Sequence, residues 1–174
     1  TDESTVTFDK TRPTANYVTM TSNNANPVYA RPGDIITMAV QTDDILSTDP
    51  TFTIFTKTID EVTNPVVVEG SNVSRIWTAQ YTLPAVTPTE FDDGSGAVEV
   101  PFTLSFTDKA GNAVLSTLTS LSNDGDGVVT FDEVIPTLTT VKIASNNDDP
   151  TIAKEGDVIT LNITSSENIK RPTI

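Results

Sequence analysis

Cysteine and histidine are absent from the chain, and tryptophan occurs once. Without cysteine no disulfide forms, so the folded state rests on packing alone. The two absences together remove Cys/His metal sites, thiol nucleophiles and imidazole acid–base chemistry. Positive charge is also scarce: 10 Lys and Arg stand against 24 Asp and Glu, for a net charge of −14. Such a surface repels nucleic acid and anionic membranes, and it suits solubility at high salt and binding of divalent cations. No apolar run approaches the ~18 residues of a membrane span. No signal-peptide pattern opens the chain, which starts mid-pattern at Thr1. The sequence therefore reads as an internal fragment of a longer protein, with no direct membrane insertion and no nucleic-acid partner expected.

What is abundant is threonine, with 31 copies, beside frequent Val and Ile. These residues favour strands and disfavour long helices. Self-similarity then organises the chain. Val6-Thr7-Phe8-Asp9 recurs as Val129-Thr130-Phe131-Asp132, an offset of 123 residues, and the offset holds without a gap through residue 46. Pro13-Thr14 matches Pro136-Thr137, Ser22-Asn23-Asn24 matches Ser145-Asn146-Asn147, and Gly33-Asp34 matches Gly156-Asp157. Over residues 6–46 against 129–169, 16 of 41 positions are identical. The expected organisation is a complete repeat over residues 1–128, its unit starting near Val6, and the N-terminal part of a second over 129–174.

Alternation with a period of two marks the strands. Val18 and Met20 share one face of 17–21, and Ile36, Met38 and Val40 one face of 34–42. Shorter β-rich runs cover 51–58 and 65–68. Trp77, Ala79, Tyr81 and Leu83 share a face of 76–83, and Val98, Val100, Phe102, Leu104 and Phe106 one of 98–106. Residues 112–121 read as a less regular strand. Pro101 implies an edge position or a bulge within its strand. Strands with one apolar and one polar face, separated by turn residues, predict an all-β fold, an antiparallel two-sheet sandwich over about residues 10–121.

Three stretches carry a resemblance. They are Ser22-Asn23-Asn24 through Gly33-Asp34-Ile35-Ile36-Thr37, then Trp77-Thr78-Ala79-Gln80-Tyr81-Thr82, then Phe106-Thr107-Asp108-Lys109-Ala110-Gly111-Asn112. Together they resemble the immunoglobulin-like (Ig-like) tandem repeats of large bacterial surface and secreted adhesins. The second copy repeats the opening part and adds Ser166-Glu167, where the first has Asp43-Asp44. The resemblance implies an Ig-like β-sandwich, a location outside the bacterial cell or on its surface, and a spacer or adhesive role without catalysis. Its implied partners are neighbouring repeats of the same chain, then surface glycans or proteins.

The sharpest local signal for chemistry is Ser122–Glu133, which matches much of a twelve-residue calcium loop. Its ligands would be Asp124, Asp126 and Glu133, with Asp2 or Glu3 at the preceding junction. Its first position is Ser and its flanks are strand-like, so a solvated linker is the first reading and a helix-free calcium site at the module junction the second. Asp92-Asp93-Gly94-Ser95-Gly96 reads as a hydrophilic turn. Trp77 and Tyr81 read as core rather than as a glycan platform, because they share a face with Ala79 and Leu83. Asp108 should close a side chain–backbone turn, with Gly111 at positive φ.

The expected function is that of a structural spacer. The alternatives are a glycan-binding module and an accessory domain of a secreted hydrolase. In the second copy, Val141, Ile143, Ile159, Leu161 and Ile163 need a facing sheet. Two strands alone are marginal in water, and an open apolar edge invites pairing. Residues 129–174 are thus not expected to stand as an ordered, exposed unit. Completion is expected from chain beyond Ile174 or from another polypeptide.

Overall fold

The computed structural model describes residues 5–56, 67–85, 96–115, 117–120, 128–169 and 171–173. Every regular element among them is a β-strand. The chain divides into two units, Thr1–Glu133 and Val134–Ile174.

In the first unit, β1 (Ala15–Ser22) is followed by the two-residue β2 (Tyr29–Ala30), β3 (Ile35–Thr42) and β4 (Thr51–Ile54). Then come β5 (Val67–Ser71), β6 (Ile76–Thr82), β7 (Ala97–Glu99), β8 (Phe102–Ser105) and β9 (Thr130–Asp132). One sheet is antiparallel throughout, in the order β1-β3-β6-β5. The others are β4-β8, antiparallel, and β2-β9-β7, in which β9 runs parallel to β2 and antiparallel to β7.

The alternating faces meet in one core. Val18, Met20, Ile36, Met38, Val40, Trp77, Ala79 and Tyr81 enter it from the four-stranded sheet; Phe52, Ile54, Phe102, Leu104 and Phe131 enter from the others. Thr103 and Ser105 stay half-buried on the opposite face, so the expected register holds. This is an all-β, sandwich-like architecture with several antiparallel sheets. Pro101 lies where the strand through residues 97–105 breaks into β7 and β8. Val100 N–H is donated to Val129 O there, and Pro101 O accepts from Phe55 N–H. Residues 112–120, where described, form no regular strand. They touch the sheet through the single bridges Leu104↔Leu118 and Thr107↔Ala113.

Two residues explain a further detail. At Gly70, paired with Trp77, a Cβ would lie 2.6 Å from both Ile76 O and Trp77 Cε3. Only glycine lets the indole lie against β5. Trp77 Nε1 is buried without a hydrogen-bond partner among the described residues.

The expected boundary after residue 128 is displaced. Val129 and Phe131 are fully buried in the first unit, and Phe131 stacks edge-on against Phe55 with ring centroids 6.1 Å apart. Thr130 N–H is donated to Val28 O (2.9 Å) and Glu133 N–H to Gly96 O (3.1 Å). The repeated tetrapeptide that opens the second copy in sequence closes the first unit in space.

The second unit is the hairpin β10 (Leu138–Ser145) with β11 (Ile159–Ser165). Its register reproduces that of β1 and β3 at the offset of 123. Val18↔Val40 becomes Val141↔Ile163, Met20↔Met38 becomes Ile143↔Leu161, and both ladders slip at the equivalent point. The hairpin is regular, and the side chains expected to need a facing sheet line its open face, with Val141 58%, Ile143 73% and Leu161 41% exposed. Local bonds close its loop. Asn147 Nδ2 is donated to Asp157 Oδ2 (2.9 Å), Val158 N–H to Asn146 Oδ1 (2.9 Å), and Asn147 N–H to Ser145 Oγ (3.1 Å). The first copy has the same three, from Asn24 to Asp34 (2.8 Å), Ile35 to Asn23 (2.8 Å) and Asn24 to Ser22 (3.1 Å). Gly33 and Gly156 take positive φ, 84° and 92°, in the two loops. The Ser-Asn-Asn…Gly-Asp pattern is thus a loop clamp.

Candidate functional site

Of the sequence-derived calcium ligands, Asp124 and Asp126 lie outside the described residues, as do Asp2, Glu3 and 92–95. Glu133 lies just past β9. Among the described residues the carboxylates that converge are others: Asp9, Asp44 and Asp108, each with one oxygen within 4.8 Å of the other two. Three elements deliver them. Asp9 ends the opening Val-Thr-Phe-Asp segment, Asp44 follows β3, and Asp108 opens the turn after β8.

Asp108 is 1% exposed and is held by its own turn. Asn112 N–H is donated to its Oδ1 (2.7 Å) and Asn112 Nδ2 to its Oδ2 (2.8 Å). Gly111, at φ 92°, makes the turn possible, as the sequence implied. Burial pushes the Asp108 carboxyl up. The Asn112 amide and the backbone N–H groups of Asn112, Ala110 and Gly111 outweigh it and hold the carboxyl below its ordinary value. Asp44 accepts Ile45 N–H at 2.6 Å. Asp9 accepts Thr11 N–H at 2.9 Å, and its carbonyl accepts Asn112 Nδ2 at 3.3 Å.

Two arginines are bound to backbone carbonyls of residues adjoining these loops. Arg12 is donated to Ala113 O (3.2 Å), and Arg75 to Asp43 O. Asp43 itself accepts Thr14 N–H (2.7 Å) and Thr14 Oγ1 (2.8 Å). Residues 9–14 are therefore tied to the segments that follow β3 and β8. Three hard oxygen donors are the type Ca²⁺ takes, though that ion takes about six to eight. Backbone oxygens or water would have to supply the rest. No local signal pointed to this group, because its members stand 35 and 64 residues apart in the sequence.

Trp77 and Tyr81, weighed as a glycan platform, are core: they are 4% and 3% exposed. An open groove of about 250 Å³ is lined by Thr48, Asp49 and Thr51, by Ser105 to Thr107, and by Ala113, Val114 and Thr117; among these described residues Asp49 is the titratable one. No helix among the described residues is long and apolar enough to cross a membrane. No protein-family model, curated protein or solved structure matches the chain.

Proposed function

We propose that this chain is part of a non-catalytic spacer, a stretch of Ig-like modules in a long extracellular repeat protein of the bacterial adhesin or stalk type. One observation carries the reading. The hairpin β10–β11 repeats the register and loop clamp of β1–β3, and it begins only five residues after β9 closes the first unit. A fold that restarts directly after it finishes is the mark of an array. With the two-residue β2 set aside, the order β1-β3-β6-β5 matches that of the four-stranded sheet in constant-type Ig sandwiches, which supports the reading.

A spacer needs a short, constrained link. Between Asp132 in β9 and Thr137 stand four residues, one of them Pro136. Thr137 N–H is then donated to Ser166 Oγ, and Thr137 O accepts Ser166 N–H. The first copy ties Thr14 to Asp43 in the same way. The dense negative charge keeps such an array soluble and its modules apart.

The experiment is single-molecule stretching of a chain carrying several copies of residues 10–132. Each copy releases about 123 residues at roughly 3.3–3.6 Å per residue, so the force record should show steps of one size, near 40 nm less the folded length. Steps of unequal size, or extension without steps, would overturn the array reading.

A further inference from the structure

The same tetrapeptide occurs twice and lives in two environments. As Val129-Thr130-Phe131-Asp132 it fills a slot between β2 and β7. Val129 and Phe131 point into the core, fully buried, while Thr130 and Asp132 stay half-buried. Tyr29 and Ala30 pair on one side, and Ala97, Val98 and Glu99 on the other. As Val6-Thr7-Phe8-Asp9 the sequence forms no strand; Val6 is 97% and Phe8 87% exposed. Among the described residues no hydrogen bond of Val6, Thr7 or Phe8 occurs, whereas Asp9 and the residues after it are tied to the first unit.

The geometry points to Val6–Asp9 as the closing strand of a preceding copy of this module. Its apolar side chains alternate with the spacing of Val129 and Phe131, so they fit the same two core positions of that copy. The bond pattern follows the same register: Thr7 N–H to the residue equivalent to Val28, and Val6 O from the residue equivalent to Val100. The structural module then runs from about Lys10 to Glu133, and the sequence repeat is offset from it by one strand. Each module ends on the strand whose next residues are fastened to its successor. Asp9 is the hinge of this arrangement. It ends the strand given to one copy and stands in the carboxylate group of the next. The inference names its occupant through the array reading and rests on it to that extent.

The test is a duplicated chain in which residues 10–128 are placed directly before residues 6–174. In it the upstream copy has no closing strand except Val6–Asp9. In the 174-residue chain, Thr7 and Phe8 amides should exchange freely. In the duplicated chain they should become as protected as Thr130 and Phe131, and both tryptophans should be buried. Val6→Asp with Phe8→Asp in the duplicated chain should unfold the upstream copy alone, exposing half of the tryptophan signal. Freely exchanging Thr7 and Phe8 amides in the duplicated chain overturn the inference, whether or not the upstream copy folds. So does an upstream copy that is indifferent to the double substitution. Equal stretching steps with unprotected Thr7 and Phe8 would sink this inference and leave the array reading standing.

Discussion

Phe8 and Phe131 sit in identical tetrapeptides, so the same substitution at each isolates the effect of environment. Phe131 is fully buried and packs edge-on against Phe55. Removing its ring deletes the transfer free energy and leaves a cavity between two sheets. Phe→Ala at such a site costs about 3–5 kcal/mol. For a unit ending at Glu133, that corresponds to roughly 10–18 °C in melting temperature. Phe8 is 87% exposed, and its truncation should change stability by no more than about 0.5 kcal/mol. The assay is thermal melting followed by the fluorescence of Trp77. That residue is the chain's one tryptophan and lies in the core of the first unit, so the signal reports that unit without interference from the hairpin. Equal small shifts for Phe8→Ala and Phe131→Ala would refute the assignment of β9 to the first unit. A larger shift for Phe8→Ala would reverse it.

Gly70→Ala should destabilise the first unit by about 1–3 kcal/mol, because the new methyl meets the Ile76 carbonyl and the Trp77 ring at once; an unchanged urea midpoint would contradict that contact. The Asp108 carboxyl is held below its ordinary value of 3.8. A depressed folded pKa stabilises above the unfolded value and is lost as pH falls through the folded one. The first unit should therefore lose stability as pH falls below about 4, and Asp108→Asn should flatten that loss. An unaltered pH profile in Asp108→Asn would remove the claim. With a net charge of −14 and three converging carboxylates, raising sodium chloride from low to moderate concentration should raise the melting temperature by screening. A rise in calcium well beyond that at equal ionic strength would mark a bound cation; a melting temperature that falls with salt would contradict the repulsion.

The strands of the first unit were legible because a half-buried strand writes its burial into alternation. Ile36, Met38 and Val40, or Phe102, Leu104 and Phe106, could lie on one face only. The loop clamp was visible as a repeated pattern, Ser-Asn-Asn with Gly-Asp, but not as a set of bonds. Two things were not legible. Val129–Asp132 read as the start of a copy because a sequence repeat has no intrinsic frame; only pairing with β2 and β7 shows which module it completes. The carboxylate group stayed hidden because Asp9, Asp44 and Asp108 meet through tertiary structure. The loop that looked most like a calcium ligand set, 122–133, carries its acids within twelve residues and so drew attention locally.

The proposed function, a spacer built of repeated modules, requires that every added module lengthen the chain. Small-angle X-ray scattering on chains lengthened by one, two and three copies of residues 10–132 tests it directly. An eight-residue strand at about 3.3 Å per residue is roughly 26 Å long, and loops at both ends bring a module to roughly 35–45 Å. The account predicts that the maximum dimension grows by this same increment with every added copy. Increments that shrink with copy number, as in an assembly that packs its modules side by side, would contradict it.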